Sequence, residues 1–353
     1  MGEAQRNWLA WSLAGMLAVT IPAPSSQAQD EAPLTRIAFG SCAHQDRPQP
    51  IWDAVLGYRP ELFVFAGDNV YGDVTSVEMT ELKAAYARAR EIPGYHAIRE
   101  ATRVLATWDD HDYGVNDGGA DFPFRAAAQA LFLDFWSIPD DDPRASRPGI
   151  YHAQTFGPEG MRVQVILLDT RFFRSPLKPS DQRGAPGKER WLPDLDPAKT
   201  MLGEAQWAWL RAQLGEPAEL RLIVSSIQVL AEGHGWERWG NLPLERARLL
   251  ELIADTGANG VVFLSGDRHV GALYRLNEGV PYPLHEITAS GINMTYAANR
   301  EAGPRRLGAV YGAENFGTID IDWWTDEVTL AVRAMHGEPA RRVSFPLAEL
   351  TPG

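Results

Sequence analysis

Short apolar runs alternate with amphipathic stretches along most of the chain. Residues 36–40, 61–66, 103–108, 161–168, 220–224 and 260–265 are mostly Ile, Val, Leu, Phe and Ala. Each is long enough for one buried strand and too short for a core helix. Between them, residues 49–58, 78–90, 124–136, 203–214 and 243–254 carry apolar side chains three and four apart, which predicts helices with one covered face. Ile51, Trp52, Val55 and Leu56 form the first such face, and Trp207, Leu210 and Leu214 form the fourth. Pro93-Gly94 is expected to end the second helix, and Pro243 suits the first turn of the last. After residue 270 the pattern turns to strands alone, at 272–276, 284–288, 317–323 and 328–334, with Thr325-Asp326 placed for a hairpin turn. Residues 175–200, rich in Pro, Gly and charge, read as a long surface loop. This order predicts an α/β layered sandwich with both sheet faces covered by helices, followed by a strand-rich C-terminal part.

The N-terminus changes the picture first. Arg6 precedes a mostly apolar stretch over 9–21, and Ser26-Gln27-Ala28 fits a small-x-small cleavage site, so residues 1–28 read as a secretory signal peptide. As a helix, 9–21 would span about 20 Å, short of the ~30 Å a membrane anchor needs. Residues 29–353 are then one exported domain, periplasmic or extracellular, and a monomer is expected. The formal net charge of −13 argues against a nucleic-acid surface or an anionic-membrane surface. It also means that an anion site must carry its own positive charge. The single cysteine, Cys42, cannot form an internal disulfide.

The chemistry gathers where the predicted strands stop. Strand 103–108 runs into Asp109-Asp110-His111-Asp112, three acids in four positions whose burial together calls for a cation. Other strands end at Ser41-Cys42, Gly67-Asp68-Asn69, Asp169-Thr170-Arg171, Gln228 and Gly266-Asp267-Arg268-His269. In open α/β sheets a ligand site lies beyond the carboxyl ends of the strands, so these groups are expected to converge.

Together the segments Phe39-Gly40-Ser41-Cys42, Ala66 to Asp73, Thr107 to Asp112, Leu168-Asp169-Thr170-Arg171, Ser226-Ile227-Gln228-Val229 and Leu264 to His269 resemble the calcineurin-type metallophosphoesterases, and more narrowly their PhoD-like branch. The resemblance implies a four-layer αββα sandwich and a hydrolase of phosphate monoesters or diesters, acting on a small-molecule ester through a hydroxide held between metal ions. Where the broad family has Asp-x-His this chain has Gly40-Ser41-Cys42. Its Asn-His pair is Asp110-His111 here, and its last Gly-His-x-His is Gly266-Asp267-Arg268-His269. The PhoD-like branch shares these changes.

On this resemblance one metal is held by Cys42, Asp68, Tyr71 and His269. Thiolate and phenolate donors suit a trivalent ion, iron(III). A second ion takes Asp68 as a bridge with Asp110, Asp267 and Gln228. These oxygen donors favour calcium, magnesium or manganese, and the resemblance implies calcium. His111 is the expected proton donor to the leaving oxygen, with Asn69 or Arg171 on the phosphate. Asp109, Asp112 and Asp73 are supports, although the adjacent Asp109 and Asp110 leave the register of the ligand open by one residue. His44, His96, His152, His234, His285 and His336 are set aside as surface or core residues. Of these, His234 is the least securely placed, because its loop follows Gln228. The alternative to an enzyme is a non-catalytic exported metal- or phosphate-binding protein.

Overall fold

The computed structural model describes residues 32–301 and 303–352; the expected signal peptide lies outside the described residues. The elements run β1 (Arg36–Gly40), α1 (Trp52–Tyr58), β2 (Leu62–Ala66), α2 (Thr80–Arg90), α3 (Pro93–Ala101), β3 (Arg103–Thr107), α4 (Asp110–Tyr113), α5 (Arg125–Phe135), α6 (Pro143–Ser146), β4 (His152–Phe156) and β5 (Val163–Leu167). Then follow β6 (Lys178–Pro179), β7 (Trp191–Leu192), α7 (Gly203–Leu214), β8 (Leu220–Ser225), α8 (Pro243–Thr256), β9 (Val261–Ser265), β10 (Gly271–Leu276), β11 (Leu284–Ala289), β12 (Asn315–Asp322), β13 (Glu327–Ala334) and β14 (Pro339–Pro346).

Two six-stranded sheets carry the molecule, in the orders β14-β13-β12-β1-β2-β3 and β10-β11-β9-β8-β5-β4. The period of two along each strand decides which layer each side chain joins. In β1 and β2, Ile37, Phe39, Leu62, Val64 and Ala66 enter the core shared with Val165, Leu222, Val224 and Leu264 of the second sheet. The alternate residues Ala38, Phe63 and Phe65 pack instead with Trp52, Leu82, Tyr95 and Phe135 of the helices on the outer face. On the far side, Trp207, Leu210, Leu249 and Ile253 of α7 and α8 belong to the second sheet's cluster. The layers are therefore helix, sheet, sheet, helix. The C-terminal strands do not form a separate unit. β10 and β11 extend the second sheet, while β12 pairs antiparallel with β1 and carries β13 and β14 along the first.

Strands β1, β2 and β3 are parallel to one another, as are β5, β8, β9 and β11. Their carboxyl ends therefore deliver side chains in one direction. Several elements differ from the sequence expectation. Pro93 does not merely end a helix: it occupies the first turn of α3, where its missing N–H costs nothing, and Tyr95 and Ile98 bury that helix's inner face. β4 and β14 are edge strands of mixed polarity, without the apolar run that marks the central strands. The 175–200 segment is a loop as expected, pinched by the short β6–β7 ribbon.

His285 on β11 shows how dry this packing is. It is 1 % exposed, its ring stacks on Phe345 with centroids 4.0 Å apart, and neither ring nitrogen has a hydrogen-bond partner. Burial, followed by Arg275, pushes its pKa down to about 4. A histidine that is neutral when folded and titrates near 6.5 when unfolded stabilises fully above pH 6.5 and loses that contribution as pH falls toward 4. His285→Phe should therefore melt close to wild type at pH 8 and be more stable by about 2 kcal/mol at pH 5. Thermal denaturation at the two pH values checks this, and an identical acid dependence in both proteins would refute it.

Candidate metal centre

The strand ends converge on a cleft of about 370 Å³ lined by Asp68, Asp110, His111, Asp267 and His269. Cys42, Asp68, Asp267 and His269 all adopt positive φ, at 62°, 50°, 66° and 56°. For residues with a Cβ this is an uncommon conformation, tolerated where surrounding structure enforces it. Here it breaks the extended backbone just past β1, β2 and β9. Gly67 has φ 103°, and a Cβ on it would lie 2.6 Å from Asp109 Cβ, so only glycine allows the second and third strand ends to approach this closely.

Asp112 ties the loops together. Its Oδ1 accepts from the backbone N–H of Asp68 at 3.2 Å and of Asp109 at 2.6 Å. Its Oδ2 accepts from Asn69 N at 3.2 Å and Asn69 Nδ2 at 2.5 Å. Ser290, just past β11, does the same for the other sheet: its hydroxyl accepts from His269 N at 2.7 Å and lies 3.2 Å from Cys42 Sγ.

Around Asp68 the donors fall into two sets. Oδ2 is 3.5 Å from Cys42 Sγ and accepts from Tyr71 Oη at 3.2 Å; Tyr71 Oη is 3.1 Å from His269 Nε2. Oδ1 faces the other way and accepts from His111 N at 3.2 Å. Ligand atoms of Cys42, Asp68 and His269 lie within 4.8 Å of one another, and so do those of Asp68, Asp110 and His111, of Asp109, Asp110 and Asp267, and of Asp110, Asp117 and Glu237.

Electrostatics support the same division. Burial pushes the Cys42 thiol up to about 12, and burial followed by Asp68 pushes Tyr71 well above its ordinary value. Burial, then the neighbouring Asp110, raises Asp68 well above the carboxylate range. Burial raises Asp267 likewise, with Asp109 and Asp110 adding to it and Arg268 opposing; its Oδ2 is buried without a hydrogen-bond partner among the described residues. These groups need a cation to be ionised together. Burial, then Arg268, lowers His269 to about 4, leaving the neutral imidazole that a metal requires. The residues fit a metal centre with one sulfur-, phenol- and imidazole-bearing side and one all-oxygen side.

His111 stands beside both sets. Burial alone would lower its pKa, but the carboxylates of Asp110, Asp68 and Asp73 more than reverse this and raise it to about 11. Nδ1 lies 2.8 Å from Asp73 Oδ1, and the ring packs on Tyr71 with centroids 4.3 Å apart.

Three expected site residues lie elsewhere. Arg171 is 0 % exposed; it pairs with Asp109, its Nε donating at 2.7 Å, and with Glu237 through Nη1 at 2.7 Å. Asn69 spends its amide N–H groups on Thr107 O at 2.8 Å and on Asp112. Neither lines the cleft. Gln228 Nε2 donates to Tyr274 Oη and Thr288 Oγ1, both at 3.0 Å, and its Oε1 lies 3.0 Å from His234 Nε2, so its amide is fully engaged. Each of these side chains follows a strand end and hydrogen-bonds the packing, while Asn69 Oδ1 is buried without a hydrogen-bond partner among the described residues. Of the two adjacent acids, Asp110 lines the cleft and Asp109 is held by Arg171 and Ser226. The cleft also contains Asn116, Asp117, Arg190, Trp236, Glu237, Arg268 and Tyr296. Arg268 stood in the Gly266–His269 motif without an assigned role. Trp236 and Glu237 follow the loop histidine His234, which itself is buried and turned away.

Two sheets between helices, with metal-type donors at the strand ends, define a protein of metallophosphoesterase architecture. The model of the PhoD-like phosphatase family matches residues 37–315, and the chain belongs to that family. Alkaline phosphatase D of Bacillus subtilis (strain 168) is 23 % identical over 288 residues, covering 71 % of this chain and 48 % of that protein; the chain thus spans about half the length of that relative. A solved structure of PhoD superposes with a TM-score of 0.67 at 16 % identity, over 92 % of this chain and 70 % of that one. GAP50, the anchor in the inner membrane complex of Plasmodium, gives 0.58 at 15 % identity, over 91 % and 90 %. Purple acid phosphatase PPD1 from yellow lupin (Lupinus luteus) seeds gives 0.57 at 9 %, over 89 % and 54 %. At these identities the three structures speak to the fold. Among the described residues no helix is long and apolar enough to cross a membrane.

The buried placement of Arg171 carries a consequence for stability. Arg171→Met should lose about 3–5 kcal/mol, because Asp109 is left buried without its cation and Glu237 keeps only Arg174. Chemical denaturation measures this. A variant of unchanged stability with a raised KM would instead return Arg171 to the substrate.

Proposed function

We propose that the protein is an exported metal-dependent phosphoesterase of monoesters, diesters or both. The observation that carries this is the set of strand-end donors arranged on either side of one carboxylate, Asp68, with a proton-holding imidazole at the open edge. Cys42, Asp68, Tyr71 and His269 would hold an iron(III) ion, and Asp68, Asp110 and Asp267 an ion such as calcium, magnesium or manganese. Bound ions would supply the Lewis acidity and the activated water that phosphoester hydrolysis requires.

The chain's own residues do the rest. Asp73 fixes the His111 ring through Nδ1 and favours a proton on the imidazole for the leaving alkoxide. Arg190, Arg268 and Asn116 face the same space and would orient the phosphate. Arg268 is itself oriented by Glu301 and lies over the Trp236 ring, 5.1 Å from its centroid.

Purified protein should hydrolyse p-nitrophenyl phosphate or its bis-ester, and EDTA or Asp68→Ala should abolish the activity; full turnover by Asp68→Ala would remove this reading. Metal identity is tested separately. The protein should carry a visible thiolate- or phenolate-to-iron charge-transfer band that Cys42→Ser weakens or shifts, whereas a colourless, iron-free, active enzyme would remove iron from the assignment.

A further inference from the structure

The metal-type cleft adjoins a second, larger cavity. Asn116, Asp117 and Arg190 line both, and the second encloses about 610 Å³. Its lining mixes the apolar Val115, Phe122, Pro123, Pro179 and Trp191 with the polar Asp121, Ser180 and Arg183.

Asp117 forms the sill between the two. Its backbone N–H donates to Asp110 Oδ2 at 2.7 Å, on the metal side. Its own Oδ2 accepts from Trp191 Nε1 at 2.9 Å and lies 3.0 Å from Arg190 Nε, on the other. The β6–β7 ribbon sets Pro179 opposite Trp191, and Ser180 N donates to Arg190 O at 2.9 Å. The 175–200 loop is thus fastened to the residue that holds a candidate metal ligand, and it walls a space with a built shape. Arg183, also on this loop, lines the space and is exposed. It makes no ion pair or hydrogen bond among the described residues, in contrast to Arg190 and Arg268, which are both paired.

A phosphate ester of a small alcohol fills only the first lobe. We propose that the second lobe is the subsite for one alcohol arm of the ester. It would take a flat or aromatic arm beside Trp191, with Arg183 pairing a further negative charge on that arm. The apolar side chains of this lining, Trp191 and Phe122 foremost, favour such an arm by removing its surface from water. Continuity with the acidic cleft fixes the occupant, because the arm must remain attached to a phosphate seated there. The inference rests on the phosphoesterase reading above and adds the substrate class.

The test uses the full chain with its metals. Ser180→Trp fills the lobe from the loop side. It should lower kcat/KM for bis(p-nitrophenyl) phosphate at least tenfold while leaving 2-glycerol phosphate within twofold of wild type. Binding gives a readout that needs no turnover. Benzylphosphonate should bind wild type at least tenfold more tightly than methylphosphonate, and Ser180→Trp should erase the difference. Arg183→Ala should weaken 4-(phosphonomethyl)benzoic acid and leave benzylphosphonate unchanged. Equal losses on both esters, no loss on either, or phosphonates that bind alike would overturn the subsite. Discrimination between phosphonates without hydrolysis of any ester would uphold the subsite and overturn the phosphoesterase reading.

Discussion

Carboxylates crowded at one place in a protein repel one another, and their confinement governs this structure. Asp68, Asp109, Asp110, Asp112, Asp117, Glu237 and Asp267 surround one cleft, and most are fully or nearly fully buried. Behind the cleft, Arg171 bridges Asp109 and Glu237, and Arg174 lies 3.1 Å from Glu237. Asp112 is stabilised by four donors, three of them backbone N–H groups. The acids thus divide into a rear set neutralised by the protein and a front set, Asp68, Asp110 and Asp267, which faces the opening. A buried charge persists only when it is paired, hydrogen-bonded or bound to an ion. The rear set meets this condition within the chain, and on the proposed function bound cations would meet it for the front set.

The fold supplies the precision this requires. Parallel strands end at a common level, and left-handed residues at Cys42, Asp68, Asp267 and His269 break the extended backbone where a donor is needed. Backbone strain of this kind costs on the order of 1–3 kcal/mol per residue and persists where packing over-determines it. The inter-sheet core, with Phe39, Val64, Val224 and Leu264 directly below these turns, provides that packing. Stability generated in the core is spent on rigidity at the rim.

This arrangement explains what was legible in the sequence. Central strands are buried on both faces, so they read as apolar runs, and the residues that follow them are located by chain order alone. Cys42, Asp68, Asp110, Asp267 and His269 were therefore visible. Edge strands β4 and β14 have only partial cover and carry no such run. What sequence cannot give is the direction of a side chain after a strand has ended. Asn69, Arg171 and Gln228 follow strands just as the cleft residues do, yet each turns back to hydrogen-bond the packing. Glu237 and Tyr296 enter from loops with no local signature, and only the tertiary path brings them to the cleft.

The same accounting of charge bears on how an acidic chain can attract a phosphate. Each arginine that lines the acidic cleft already has a carboxylate partner: Arg190 has Asp117 and Arg268 has Glu301. These guanidiniums can orient an anion through their remaining N–H groups, but they contribute little net positive charge to it. With the front acids ionised, the protein's own field in the cleft opposes phosphate entry. On the proposed function, cations held by those acids would reverse that field where the donors converge. Ion binding and substrate binding would then be one electrostatic problem. Removing a front carboxylate would weaken both together, whereas removing a rear partner such as Arg171 would act first on the scaffold that holds the front acids in place.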